Sequence, residues 1–183
     1  MIRYPDHFTV PCHRRWLFVF LALGLLVLSV CSSDRRSTPG SGGTSSEAAA
    51  NFADQLLLTG YSVQNKDGHT EVELRWKALR KPSADYYAFV HVLDGAGGMV
   101  FQLDHPLKNT AGSPTSSWGA RDSVSDRFLA VPPPNHTSGT YTLRVGVYVP
   151  NPMSVLQISE TALPQPTDGW KHQSILIEHV ECK

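Results

Sequence analysis

The sequence predicts an all-β protein: an antiparallel β-sandwich, immunoglobulin-like or jelly-roll-like, behind an N-terminal signal or anchor and a flexible tether. Three observations carry this. Glu71–Leu79 alternates strictly, with Val72, Leu74, Trp76 and Ala78 on one face and Glu71, Glu73, Arg75 and Lys77 on the other. That is the period of a half-buried strand. About eight short apolar runs of this kind follow one another, separated by Gly, Pro, Asn and Asp, which is the rhythm of a sandwich. From Gln55 onward no segment holds a helical apolar stripe through three turns.

Taken in order, Leu56–Val63 opens the domain and Glu71–Leu79 follows it. Tyr86–Leu93 (YYAFVHVL) comes after a Pro-containing turn. Asp94–Gly98 is a hairpin-type turn that sends the chain back as Met99–Leu103. Ser123–Val131 reads as a strand halted by Pro132, Pro133 and Pro134. Tyr141–Val149 places Tyr141, Leu143, Val145 and Val147 on one face, and Val155–Ile158 and Ile175–Val180 are shorter strands. His105–Arg121 interrupts the rhythm with no period and one large aromatic, Trp118. Structureless loops of this length are functional or are packed Ω-like excursions.

The 183 residues suffice for one ordinary domain with extensions. Formal net charge is zero, with no basic or acidic tail, so phosphate neutralisation gives no route to a nucleic-acid partner. Apolar residues concentrate in Trp16–Val30, which has no charge and follows His13, Arg14 and Arg15. A positive region before an apolar stretch is the pattern of an export signal, and this stretch is shorter than a comfortable bilayer span. Leu28-Ser29-Val30-Cys31 then resembles the lipobox of a bacterial lipoprotein signal peptide, with Leu three residues before the Cys. Val30 departs from the small residue usual before that Cys. The resemblance implies that Cys31 is lipidated and becomes the first residue of the mature chain. Multiple acyl chains would anchor it stably. An uncleaved helical anchor and ordinary secretion are the alternatives, and all three place residues after Cys31 outside the cytoplasm.

Residues 1–31 are thus read as signal or anchor, 32–51 as linker and 52–183 as the sandwich. Ser32–Asn51 is rich in Ser, Gly and Thr and has too little apolar surface to offset chain entropy. Besides Cys31 there are only Cys12 and Cys182, so no disulfide framework can be drawn and the domain relies on its core.

Catalytic patterns are missing. Gly95-Ala96-Gly97-Gly98 precedes a strand and lacks a Lys-Ser/Thr pair, so it reads as a turn rather than a phosphate loop. Neither G-x-S-x-G nor H-E-x-x-H occurs. The eight His residues are scattered without zinc-ligand spacing, and no metal or cofactor is expected. Asn135-His136-Thr137 matches an N-glycosylation pattern and reads as an exposed loop. His91 shares a strand face with Phe89 and Leu93, either as a half-buried histidine bonded to backbone or as a ligand contact. Trp118, Tyr148 and Asp126 are the best material for a binding surface, an aromatic to stack and a carboxylate to hold hydroxyls. Trp118 has a structural reading too, pinning its loop to the sheet edge.

An ordered series completes the reading: Ala88–Asp94, Gln102–His105, Pro114–Trp118, Asp126-Arg127 and Gly139–Tyr148. It resembles the small β-sandwich domain of bacterial envelope proteins that also ends membrane glycosyltransferases of the dolichyl-phosphate-mannose mannosyltransferase type. The resemblance covers about Leu56 to Tyr148. It implies an extracytoplasmic, non-catalytic domain with no catalytic residue to carry over, and this chain lacks the multispanning transferase portion. The expectation is a lipid-anchored, non-enzymatic envelope domain that binds glycan or an envelope protein. A structural subunit of a membrane complex and an inhibitor-like module are the alternatives.

Overall fold

The computed structural model describes residues 43–134, 136 and 138–182. Cys31, the apolar run before it, the start of the tether, and Asn135 and Thr137 lie outside the described residues. Among the described residues twelve strands run in chain order: β1 (Gly43–Ser46), β2 (Ala50–Phe52), β3 (Leu56–Lys66), β4 (His69–Ala78), β5 (Tyr87–Leu93) and β6 (Met99–Gln102) come first. Then follow β7 (His105–Pro106), β8 (Ser123–Leu129), β9 (Gly139–Pro150), β10 (Met153–Val155), β11 (Ile158–Thr161) and β12 (Ser174–Cys182). They form two antiparallel six-stranded sheets. One sheet runs β11-β2-β3-β4-β8 with β1 also on β3; the other runs β10-β9-β5-β6, with β12 on β9 and β7 on β5. This is the all-β sandwich that the alternation predicts.

The period-two pattern decides which side of each strand is buried. Val72, Leu74, Trp76 and Ala78 of β4 face the second sheet, where Ala88, Val90 and Val92 of β5 and Leu143, Val145 and Val147 of β9 meet them in one core. Phe52 and Trp76 pack with ring centroids 5.6 Å apart. Each fully buried Val, Leu or Ile contributes about 1.5–3 kcal/mol against exposure, which suits a domain that has no disulfide to lean on. Cys182 is a buried free thiol, and burial pushes its pKa up, so it behaves as a small core residue. The β3–β4 hairpin closes through Asp67 and Gly68, at φ 50° and 78°. Two left-handed central residues match the right-handed twist of the flanking strands.

The domain starts earlier than its composition suggests. Gly43–Ser46 pairs along β3 from Gln64 to Tyr61, and Ala50 and Phe52 of β2 are buried, so the tether expected to run to Asn51 is already sandwich from Gly43. Backbone pairing needs no apolar side chain, and a polar edge strand leaves no hydrophobic mark on the sequence. Val155–Ile158, expected as one strand, is where the chain leaves one sheet for the other. β10 ends at Val155 on β9 and β11 begins at Ile158 on β2.

Candidate functional site

The outward face of the second sheet is not uniformly polar. In the register of β5 with β9, Tyr87 lies opposite Tyr148, Phe89 opposite Gly146, and His91 opposite Arg144. All point away from the core, since Ala88, Val90, Val145 and Val147 take the inward positions. Cross-strand neighbours on one face lie within reach of each other's rings. Tyr87 and Tyr148 approach to 5.6 Å between centroids, and Phe89 and His91 to 5.0 Å. Phe89 is only 3% exposed yet lies outside the main core: it is the floor of a second, smaller apolar layer. Gly146 makes the floor possible. A Cβ there would overlap the Phe89 ring and stand 2.6 Å from the Gln173 carbonyl oxygen.

Trp170 completes the layer from the turn that precedes β12. Its ring lies 5.3 Å from Phe89 and 5.5 Å, edge-on, from His91. Asp168 builds this turn: Oδ1 accepts from the Trp170 backbone N–H at 2.9 Å, and Oδ2 accepts from Nη2 of Arg144 at 2.7 Å. The Arg144 guanidinium in turn stands over the Trp170 ring, 5.8 Å from its centre, a cation–π contact that helps to hold the indole. The result is a shallow depression of about 110 Å³, with Phe89, Tyr148 and Trp170 as aromatic walls and floor and Met153, 72% exposed, at its lip.

Polar groups stand at the rim. Burial lowers the His91 pKa, as does the Arg144 charge, against an opposing pull from Asp104. At pH 7 the ring is neutral, with one donor and one acceptor. Burial raises the Tyr148 phenol, helped by the charge of Asp104 and by Tyr87, so its O–H stays a donor. Asp104 is exposed and offers a carboxylate beside them, while Oδ1 accepts the Val90 N–H at 3.3 Å. Among the described residues no cluster of His, Cys, Asp and Glu is arranged to hold a metal ion.

Of the residues expected from sequence, the fold brings His91 and Tyr148 together here and takes Trp118 and Asp126 elsewhere. Trp118 is 1% exposed and donates from Nε1 to the Ser113 carbonyl at 3.2 Å. It is a core residue that pins its loop. Thr115, in the same loop, donates to the Ala84 carbonyl and accepts from the Tyr86 N–H, both at 2.7 Å, so the excursion is packed rather than open. The expectation of an exposed stacking surface at Trp118 is corrected accordingly.

Asp126 is also turned inward, on the β8 face that carries Val124 and Phe128. Its carboxylate faces Nε2 of His105 at 2.9 and 3.1 Å, bolting the edge of one sheet to the edge of the other. The expected surface carboxylate is a cross-sheet bolt. Nδ1 of His105 meets the Leu103 carbonyl oxygen at 2.7 Å, so both ring nitrogens face oxygens that can only accept. Only the imidazolium satisfies both. Burial opposes the charge, but the Asp126 hydrogen bond and charge, with the Leu103 carbonyl, overcome it and raise the pKa above the ordinary 6.5. A raised folded-state value means the stabilisation is fully present below about pH 6.5 and is lost as pH rises through the folded pKa. His105→Gln should cost about 1.5–3 kcal/mol in mildly acid buffer, and the gap in thermal midpoint from wild type should narrow toward pH 9. A gap that stays constant with pH would mean the bolt carries no proton linkage.

No family model matches this chain, and no curated protein matches it. Among solved structures, the C-terminal domain of wzt aligns with 77% of this chain and 78% of its own, at 13% identity and a TM-score of 0.42. Similarity at that level adds nothing to what the strand order already establishes, and the functional reading rests on the geometry of the aromatic depression.

Proposed function

We propose that this chain is a non-catalytic glycan-binding domain of the bacterial cell envelope, held at the membrane through lipidated Cys31. The observation that carries the binding half is the aromatic depression itself, in which three ring systems are framed by the neutral imidazole of His91, the phenol of Tyr148 and the carboxylate of Asp104. A pyranose ring has an apolar C–H face and a polar rim, and this site offers the complement of both. The apolar run Trp16–Val30 and the lipobox-like Leu28–Cys31 support export and anchoring. The packed Trp118 loop and the inward Asp126 take no part in binding.

The test is a panel of bacterial and plant polysaccharides offered to the full-length chain in mild detergent, read by affinity electrophoresis and calorimetry. Trp170→Ala should weaken any binding by about thirty-fold or more, the loss of an aromatic hot spot worth about 2 kcal/mol. Silence across the panel, or binding indifferent to Trp170, overturns the reading.

A further inference from the structure

A second groove, of about 530 Å³, continues the same sheet face beyond the aromatic depression. Two residues further along each strand, His91 gives way to Leu93 and Arg144 to Thr142, a step of about 7 Å. The turn of Asp168 and Trp170 borders both hollows: Trp170 walls the first and Asp168 the second. They are therefore neighbouring compartments on one surface, with Arg144 between them.

The groove carries a mark that ordinary surface relief lacks. Among the described residues three buried side-chain donors have no hydrogen-bond partner: Trp76 Nε1 lies in the core, while Nε of Arg144 and Nε2 of Gln165 belong to residues that line this groove. Arg144 is held rigidly, its side chain 11% exposed and its other end on Asp168. Buried donors are rarely left unmet in native proteins. Both nitrogens are themselves closed off from solvent, so a small outward turn of either side chain is what lets it donate to an oxygen in the groove. The charge of the groove narrows the ligand class. Asp94, Asp168 and Glu178 set three carboxylates against the single guanidinium of Arg144. A uronate or phosphate would meet net repulsion, whereas hydroxyls can donate to Glu178 and an acylamide or hydroxyl oxygen can accept from Gln165.

We infer that this groove is a second subsite of the same site, which takes a neutral sugar unit next to the one on the aromatic platform. The inference rests on the glycan reading and extends it: the ligand is a neutral oligosaccharide rather than a single ring or a polyanion.

Calorimetry on the full-length chain would compare glucose with cellotetraose, N-acetylglucosamine with its β-1,4 tetramer, and both tetramers with tetragalacturonate. A neutral tetramer should bind at least about ten-fold more tightly than its monomer, and tetragalacturonate more weakly than either. Gln165→Leu should erase the gain of tetramer over monomer while leaving monomer binding unchanged, and Trp170→Ala should lower both. In nitrogen-15 spectra of the wild type, the Gln165 amide and Arg144 Nε–H signals should move with tetramer and not with monomer. Tetramer binding that depends on Trp170, is untouched by Gln165→Leu and leaves those signals still overturns the groove alone. Tighter binding of tetragalacturonate overturns its assignment to neutral sugars. If none of these sugars binds and the polysaccharide panel is silent as well, the platform reading falls and takes the subsite with it.

Discussion

Trp118→Ala should lower the stability of the domain by about 3–5 kcal/mol, the usual cost of truncating a buried Trp, and leave glycan affinity at the wild-type value wherever the protein is still folded. The indole is 1% exposed and holds two attachments at once. Its ring belongs to the main core with Leu107, and its N–H closes the loop onto the Ser113 carbonyl. Truncation opens a cavity and frees a loop whose neighbours, Thr115 and Ser116, bond to Ala84 and Asp85 ahead of β5. Urea unfolding followed by circular dichroism would show the midpoint fall with little change of slope. A variant as stable as wild type would mean the loop is not packed as described. A variant that is stable yet loses sugar binding would return Trp118 to the binding surface.

The contrast between Trp118 and Trp170 shows where reading by sequence succeeds and where it stops. Alternation is a local signal, and it orients whole strands. It put Val72, Leu74, Trp76 and Ala78 inward, and set Phe89 and His91 on one face. The same parity was available in Ser123–Leu129, where Asp126 falls in step with Val124 and Phe128 and is buried for that reason. An aromatic in a loop has no parity. Whether it points into the core or over a sheet depends on hydrogen bonds to residues far along the chain. Trp118 is fixed by a loop that closes on the segment before β5, and Trp170 by Asp168 and, through it, by Arg144 on β9. The one local hint for Trp170 is its place just after an Asp-Gly turn and just before a strand. β7, two residues long, and the sheet change at Leu156-Gln157 are likewise products of register rather than composition.

Gly146→Ala should do through one methyl group what deleting a ring does elsewhere: collapse the aromatic depression. The residue is not in a left-handed conformation, so the requirement for glycine is one of space. The new Cβ would overlap the Phe89 ring on one side and meet the Gln173 carbonyl oxygen at 2.6 Å on the other. The ring can rotate away, but the carbonyl belongs to the backbone that leads from the Trp170 turn into β12, and Gln173 N–H bonds back to the Trp170 carbonyl at 3.0 Å. Relief of both clashes therefore moves the floor and the wall of the site together. Overpacking of this kind costs about 1–3 kcal/mol of stability, and glycan affinity should fall as far as it does in Trp170→Ala. A double-mutant cycle with Phe89→Ala separates the two clashes. If the ring carries most of the strain, Gly146→Ala will cost much less stability once Phe89 is already Ala. If the backbone carries it, the cost will be the same in both backgrounds. Either division keeps the site dependent on a bare backbone at Gly146. Undiminished affinity in the single variant would show that sugar does not need Phe89 beneath it, and Phe89 would then be a packing residue alone.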